Sequence, residues 1–275
     1  RNSDFPKLHM QSFSETKINK LFKDTEQIRN LIKFNRSHIT RIFPSSIRVA
    51  SSNYNPVIGW SMGCQLVALN FQTADSHLLI NYGRFRENGG CGYVLKPDAL
   101  TLKKVSNLLS SPTTTNNANI RGIQSSANST KSAETQIKLR VISGSYLPKP
   151  REEKVGECID PYVKIELFDV DYINNSNKQN GYRYDNHCTH FIHDNGFSPV
   201  WNETDFKTFH VISKHVAMLL FSVWDNEMTS KDRLIAAAAI PINCLRRGIR
   251  SVKLFDLNNT RSGAFDFASL LVEIR

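Results

Sequence analysis

No stretch of this 275-residue chain is long and apolar enough to cross a bilayer as a helix. Its longest apolar runs, 216–224 and 234–242, fall far short of the roughly 20 residues a span requires and read as buried strands. No cationic-then-apolar leader opens the chain. The first residue is Arg1 and not Met, so the chain is expected to begin inside a longer protein. There is no C-x-x-C pair. The five cysteines, Cys64, Cys91, Cys158, Cys188 and Cys244, match no zinc spacing and are expected to be free thiols of a reduced, cytosolic protein. An EF-hand loop is absent from these residues. So are a zinc finger and an aromatic-and-basic RNA motif, which lowers a nucleic-acid reading.

What is present is enough apolar material, 40% of residues, for real cores in one large or two ordinary domains. The formal charge of +10 is unevenly placed. Residues 1–135 hold 17 Lys and Arg against 8 Asp and Glu, whereas 136–275 hold 18 against 17. A basic front half suits an anionic membrane or a phosphorylated substrate, although charge alone equally describes a solvated surface.

The chain divides into three parts: 1–100, 101–135 and 136–275. The middle part contains SSPTTTNNANIRGIQSSANSTKS (110–132), a polar run that cannot bury enough apolar surface to offset chain entropy. It is expected to be a flexible linker. In the front part, strands are expected at 9–13, 39–43, 66–71 and 93–95, the third buried on both faces. A helix is expected from Ser14, whose hydroxyl can cap it. Acidic Glu15 sits in its first turn, and Ile18, Leu21 and Phe22 recur at helical spacing. Such alternation suggests a parallel sheet, and four strands make half of an eight-stranded barrel. In the back part, eight strands are expected at 137–143, 162–167, 188–193, 206–211, 216–224, 234–240, 251–254 and 270–274. Val163, Ile165 and Leu167 alternate with Lys164 and Glu166. That is an antiparallel sandwich, with 174–186 as an exposed loop.

Three words in the front part are idiosyncratic: SSNYNP (51–56), W-x-x-GCQ-x-VALNFQT (60–73) and NGGCGYVLKP (88–97). They resemble the Y half of the catalytic barrel of eukaryotic phosphoinositide-specific phospholipase C, delta-like. HMQSFSE (9–15) resembles the family's strand whose serine contacts the inositol 4-phosphate, which implies that role for Ser12. ITRIFPS (39–45) resembles the strand whose arginine grips the same phosphate, which implies Arg41. Two residues on, the family usually has tyrosine. This chain has Phe43, which keeps the ring and loses the hydroxyl. The family's catalytic histidines and the carboxylates that hold its catalytic calcium belong to the X half, which no segment here matches. His9 and His38 match neither histidine motif, so no catalytic acid or base is assigned.

In the back part, LRVISGSYLPKP (139–150), IDPYVKIELF (159–168), DNGFSPVWNE (194–203) and FSVWDNEMTSKDRLI (221–235) resemble a C2 domain. That resemblance implies calcium ligands at Asp160, Asn195, Asp225, Glu227 and Asp232. Calcium wants a cluster of hard oxygens. Glu227 stands where aspartate is common, and Asn195 is neutral. Met228, at the tip of the same loop, would meet lipid or solvent.

The expected architecture is therefore an α/β half of a TIM-type barrel followed by an all-β antiparallel C2-like sandwich. The implied function is part of a phosphodiesterase acting on phosphatidylinositol 4,5-bisphosphate, inactive alone, cytoplasmic and peripherally bound to anionic membrane, with the X half as partner and no nucleic acid. The alternative is a catalytically inactive calcium- and phospholipid-binding module.

Overall fold

The computed structural model describes residues 9–101, 135–149, 158–172, 181–228 and 230–275. Most of the middle part, 102–134, lies outside the described residues, and so does 174–180 of the expected loop.

The front part alternates as its sequence suggests. Strand β1 (Met10–Ser14) leads into helices α1 (Glu15–Leu21) and α2 (Thr25–Phe34), then β2 (Ile39–Phe43), α3 (Pro56–Ser61), β3 (Leu66–Val67), α4 (Ser76–Arg84) and the short α5 (Asp98–Thr101). Each of the four longer helices is started by a side chain that accepts backbone N–H bonds. Ser14 serves α1, Asp24 α2, Asn55 α3 with Pro56 behind it, and Asp75 α4. Glu15 does more than complement a helix dipole. It is buried, and both of its oxygens accept from Arg48 Nε at 2.9 Å.

The three strands pair in parallel in the order β1-β2-β3, with Ser12 opposite Arg41 and Arg41 opposite Leu66. Three strands replace the four expected. The 66–71 run pairs over two residues only, because side chains take up the backbone beyond Val67. The Tyr54 hydroxyl donates to the Ala68 carbonyl (2.9 Å), and the Asn53 amide exchanges two hydrogen bonds with the backbone of Asn70. Nor is the run buried on both faces, since Leu66 and Phe71 are exposed. The 93–95 segment forms no strand, and Tyr93 and Leu95 are 80% and 89% exposed. One face of the sheet, with Thr40 and Ile42, is covered by helices. The other presents Met10, Ile39 and Leu66, each roughly half exposed at 54%, 46% and 48%.

The back part is a sandwich of two four-stranded antiparallel sheets. Its strands are β4 (Thr135–Ser145), β5 (Pro161–Val170), β6 (Tyr182–Cys188), β7 (Lys207–Val211), β8 (Met218–Asp225), β9 (Arg233–Pro241), β10 (Gly248–Lys253) and β11 (Ser269–Ile274). The sheets run β10-β11-β4-β7 and β6-β5-β8-β9. Val163, Ile165 and Leu167 of β5 point into the shared core with Leu139, Phe209 and Val272. One strand lies elsewhere than expected. β6 occupies 182–188, mostly within the expected loop and meeting the expected strand only at Cys188, whereas 189–193 continues past it without strand structure. β6 is an edge strand paired only with β5, so its outward positions are polar and hide the period.

The second sheet is buried on both faces, because the front part sits on its outer side. Phe168, Val170, Met218, Leu220, Ala237 and Ala239 share a core with Ile18, Phe22, Val57, Leu79 and Ile80. Helix α4 lies on β9, where Ala237 and Ala239 of the alanine run 236–239 let it come close, while Ala236 and Ala238 face the sandwich core. Gly83 makes the closest approach. A Cβ there would stand 2.3 Å from the Ala239 carbonyl oxygen. Around this seam Tyr172 donates to the Ser61 carbonyl at 2.8 Å, and the Arg86 guanidinium covers the Phe255 ring and bonds Asn259. Glycine inside a helix costs about 1 kcal/mol. Burial of Leu79 and Ile80 one turn earlier, at roughly 1.5–3 kcal/mol each, outweighs it.

Two outcomes follow from the seam. Gly83→Ala, normally stabilising inside a helix, is expected to lose about 1–2 kcal/mol here, because the clash outweighs the propensity gain. Urea denaturation of the full chain measures it, and a gain in stability would contradict this seating. The second concerns His215, which precedes β8. Burial first, and the nearby Arg84 second, push its pKa down from the ordinary 6.5 to about 4. Between those values the unfolded chain binds a proton that the folded one refuses. Stability is therefore fully present above pH 6.5 and falls toward pH 4, by at most about 1.4 kcal/mol per pH unit. His215→Gln should flatten that part of the stability profile.

Candidate functional site

The parallel register sets Ser12 and Arg41 side by side on the open face of the front sheet. Arg41 Nη1 donates to Ser12 Oγ at 3.3 Å, and both side chains are exposed. The Arg41 guanidinium also lies 5.2 Å from the centre of the Phe43 ring, which is half buried. All three residues occupy alternate positions facing the same way, as the two-residue period of strands requires. A planar fork of donors beside a hydroxyl suits the oxygens of a phosphate.

Arg41 also lines a cleft of about 740 Å³ bounded by β2, β3 and residues 92–97. Its charged lining residues are all cationic: Arg41, Arg84 and Lys96. Lys96 donates to the Asn35 carbonyl at 2.6 Å, and its pKa is lowered by burial. Gln65 closes the floor by donating to the carbonyls of Asn35 and His38 and accepting from the Thr40 N–H. Lys96 and Gln65 were not singled out in the sequence, although each sits in a quoted motif, NGGCGYVLKP and GCQ. Cys64 reaches the same cleft, but burial pushes its thiol up to about 12, so it is not a nucleophile near neutral pH. His9 and His38 pack on Phe34 at the end of α2, edge-on at 6.3 Å and stacked at 4.4 Å.

The five residues expected to bind calcium lie in loops and strand ends of the sandwich. Two pairs are joined. The Asp160 N–H donates to Asp225 Oδ1 at 2.7 Å, and the Glu227 N–H donates to Asp232 Oδ1 at 3.1 Å. Asp160 also accepts from the Asp194 N–H (2.8 Å) and faces His193 (3.4 Å). Asp232 accepts from the Tyr162 hydroxyl (2.8 Å), and Glu227 faces Arg233 (3.7 Å). Asn195 closes its own turn through two bonds with the backbone of Ser198. Carboxylates are therefore present in adjacent pairs. Among the described residues, however, no three metal-binding side chains surround one point. The fit to calcium is partial: the donor chemistry is right, but the oxygens are engaged by protein donors. Met228 is exposed.

Fold and site define a protein in which a parallel α/β unit with a cationic, open sheet face is seated on a C2 sandwich. Comparison with known proteins gives the same two parts. Residues 2–99 match the phosphatidylinositol-specific phospholipase C Y domain, and 135–257 match the C2 domain. The chain is 36% identical over 250 residues to the human 1-phosphatidylinositol 4,5-bisphosphate phosphodiesterase delta-4, covering 89% of this chain and 28% of that protein. It is 35% identical over 265 residues to human delta-1, covering 96% and 31%. The crystal structure of L. pealei PLC21 superposes with a TM-score of 0.69 at 28% identity, covering 97% of this chain and 29% of that one. The chain carries a phosphatidylinositol-specific phospholipase C Y domain followed by a C2 domain, and over both it is similar to the delta relatives. It spans about three tenths of the length of these relatives.

Proposed function

We propose that this chain supplies the phosphate-gripping half of a phosphodiesterase that cleaves phosphatidylinositol 4,5-bisphosphate into diacylglycerol and an inositol trisphosphate. The observation that carries the reading is the Ser12–Arg41 contact on the open face of the parallel sheet. In this reading Arg41 donates its N–H fork to a ring phosphate, Ser12 adds one directed hydroxyl bond, and Phe43 packs on the sugar without a hydrogen bond of its own. The acid–base groups and the catalytic calcium belong to an X half. Met10, Ile39 and Leu66 on the same open face favour such a partner, because parallel sheets are normally covered on both sides. With that half in place the front part becomes half of a closed TIM-type barrel.

The relatives' names support the substrate class, since those of human delta-1 and delta-4 are phosphatidylinositol 4,5-bisphosphate phosphodiesterases. The sandwich would dock on anionic membrane from the cytoplasmic side. Calcium would be held by Asp160, Asp225, Glu227 and Asp232 with Asn195 at the rim. The ion would offset carboxylate charge that otherwise repels lipid head groups.

The test mixes the full chain with a separately expressed X half from a delta relative and assays phosphatidylinositol 4,5-bisphosphate in vesicles. Hydrolysis should appear only in the mixture. Arg41→Ala should lower kcat/KM about 100-fold and Ser12→Ala about 10-fold. Undiminished hydrolysis by Arg41→Ala would refute the phosphate grip. Vesicle binding without hydrolysis by the assembled halves would favour the inactive lipid-binding module instead.

Calorimetric titration of the full chain with calcium should show saturable binding that Asp225→Asn weakens about tenfold or more. Equal binding by both proteins would remove these loops from the calcium reading.

A further inference from the structure

A second cleft, of about 530 Å³, opens where the front part meets the outer face of the second sheet. Ser52, Asn53 and the start of α4 form one wall; Glu166, Phe168, Tyr182 and Tyr184 of β5 and β6 form the other. Helices α3 and α4 cover the part of this sheet made by β5, β8 and β9, and the cleft is what they leave uncovered beside β6.

Glu166 is the anomaly in this cleft. It is only 3% exposed, and its Oε1 accepts from the Tyr184 hydroxyl (2.5 Å) and pairs with Lys164 (2.9 Å). Its Oε2 is sealed from solvent and has no hydrogen-bond partner. Leaving such an oxygen unpaired costs about 1–3 kcal/mol, more when charged. The nearby side chains do not relieve it. Arg48 is held by Glu15 and Ser52, and Asp75 offers acceptors where a donor is needed. The rest of the sheet wall is aromatic. Phe168 meets Tyr184 edge-on at 5.7 Å, Tyr184 lies 6.4 Å from Tyr182, and His77 meets Phe168 edge-on at 6.0 Å. Burial holds the His77 pKa below its ordinary value, so this ring adds no positive charge near neutral pH.

We propose that this cleft binds an organic cation with N–H donors, of the kind an arginine side chain presents. The guanidinium would stack on the tyrosine faces and donate to Glu166 Oε2 after a small swing of Tyr184. Ring faces attract cations, and a planar guanidinium is the cation that both stacks and donates. Water is the rival occupant, but the space greatly exceeds the roughly 30 Å³ of one water, and four of its nine lining residues carry rings. This site does not depend on the Ser12–Arg41 reading.

The probes are ethylguanidinium and N-acetyl-arginine amide, titrated into the full chain by calorimetry at pH 7.5, with tetramethylammonium as a cation that has no N–H. Saturable millimolar binding is expected for both guanidinium probes. It should be about tenfold weaker for tetramethylammonium and for the Glu166→Gln protein. A response to the arginine derivative alone would assign recognition to its peptide groups and overturn the proposal. So would the absence of saturable heat, or equal binding by Glu166→Gln. Should Glu166→Gln fail to unfold cooperatively, Tyr182→Ala decides by the same tenfold criterion.

Discussion

The seating of α4 on β9 is the contact on which the rest of this structure depends. A helix packs on a sheet at the distance its smallest facing residues permit, and here these are Gly83, Ala237 and Ala239. That closeness brings Leu79 and Ile80 into one core with Phe168, Met218 and Leu220. The sheet β6-β5-β8-β9 thereby serves two cores at once. Odd positions of β5 fill the sandwich, while Phe168 and Val170 fill the seam. Asp169, fully buried between them, is held by the N–H groups of Val170, Ile212 and Ser213 and so fixes the turn that leads to His215 and β8.

Because the front part spends its helices against the sandwich and on one side of its own sheet, the other side of that sheet is left open. Ser12, Arg41 and Phe43 are on that open side, with Met10, Ile39 and Leu66. The open face and the face that carries Ser12, Arg41 and Phe43 are the same by register and not by accident of loops. A strand slipped by one residue would bury Arg41 among the helices and present Ile42 instead.

Where one face of an element met one environment, the sequence was readable. Strands β4, β5, β8 and β9 follow the period of two or an unbroken apolar run, and Ser14 caps α1 as its chemistry suggests. Legibility failed where side chains competed with the ladder or where a surface was shared. Asn53 and Tyr54 end β3 by taking its backbone groups, which no periodicity records. The edge strand β6 carries YRYDNHC, a sequence that looks like a loop until Tyr182 and Tyr184 find β5. The alanine run read as a strand but gave no hint of its partner, and burial of Glu166 follows only from the front part's position. The pairing of Ser12 with Arg41 was legible through motif resemblance alone; as bare residues they are an exposed serine and an exposed arginine.

Arg84 ties these observations together. It ends α4, the helix that seats on β9. It is almost fully buried, pairs with Glu87 at 3.1 Å, stands 5.9 Å from the Trp60 ring and borders the cleft that Arg41 lines. It also neighbours His215, helping to hold that ring neutral. One guanidinium thus stands at the end of the seam helix, near His215 and on the cationic cleft. Shifting α4 along β9 would carry Arg84 with it and change the field at Arg41, since a buried charge is screened far less than an exposed one. The sandwich therefore does more than carry the α/β unit: through α4 it places a buried guanidinium at the cleft that Arg41 lines.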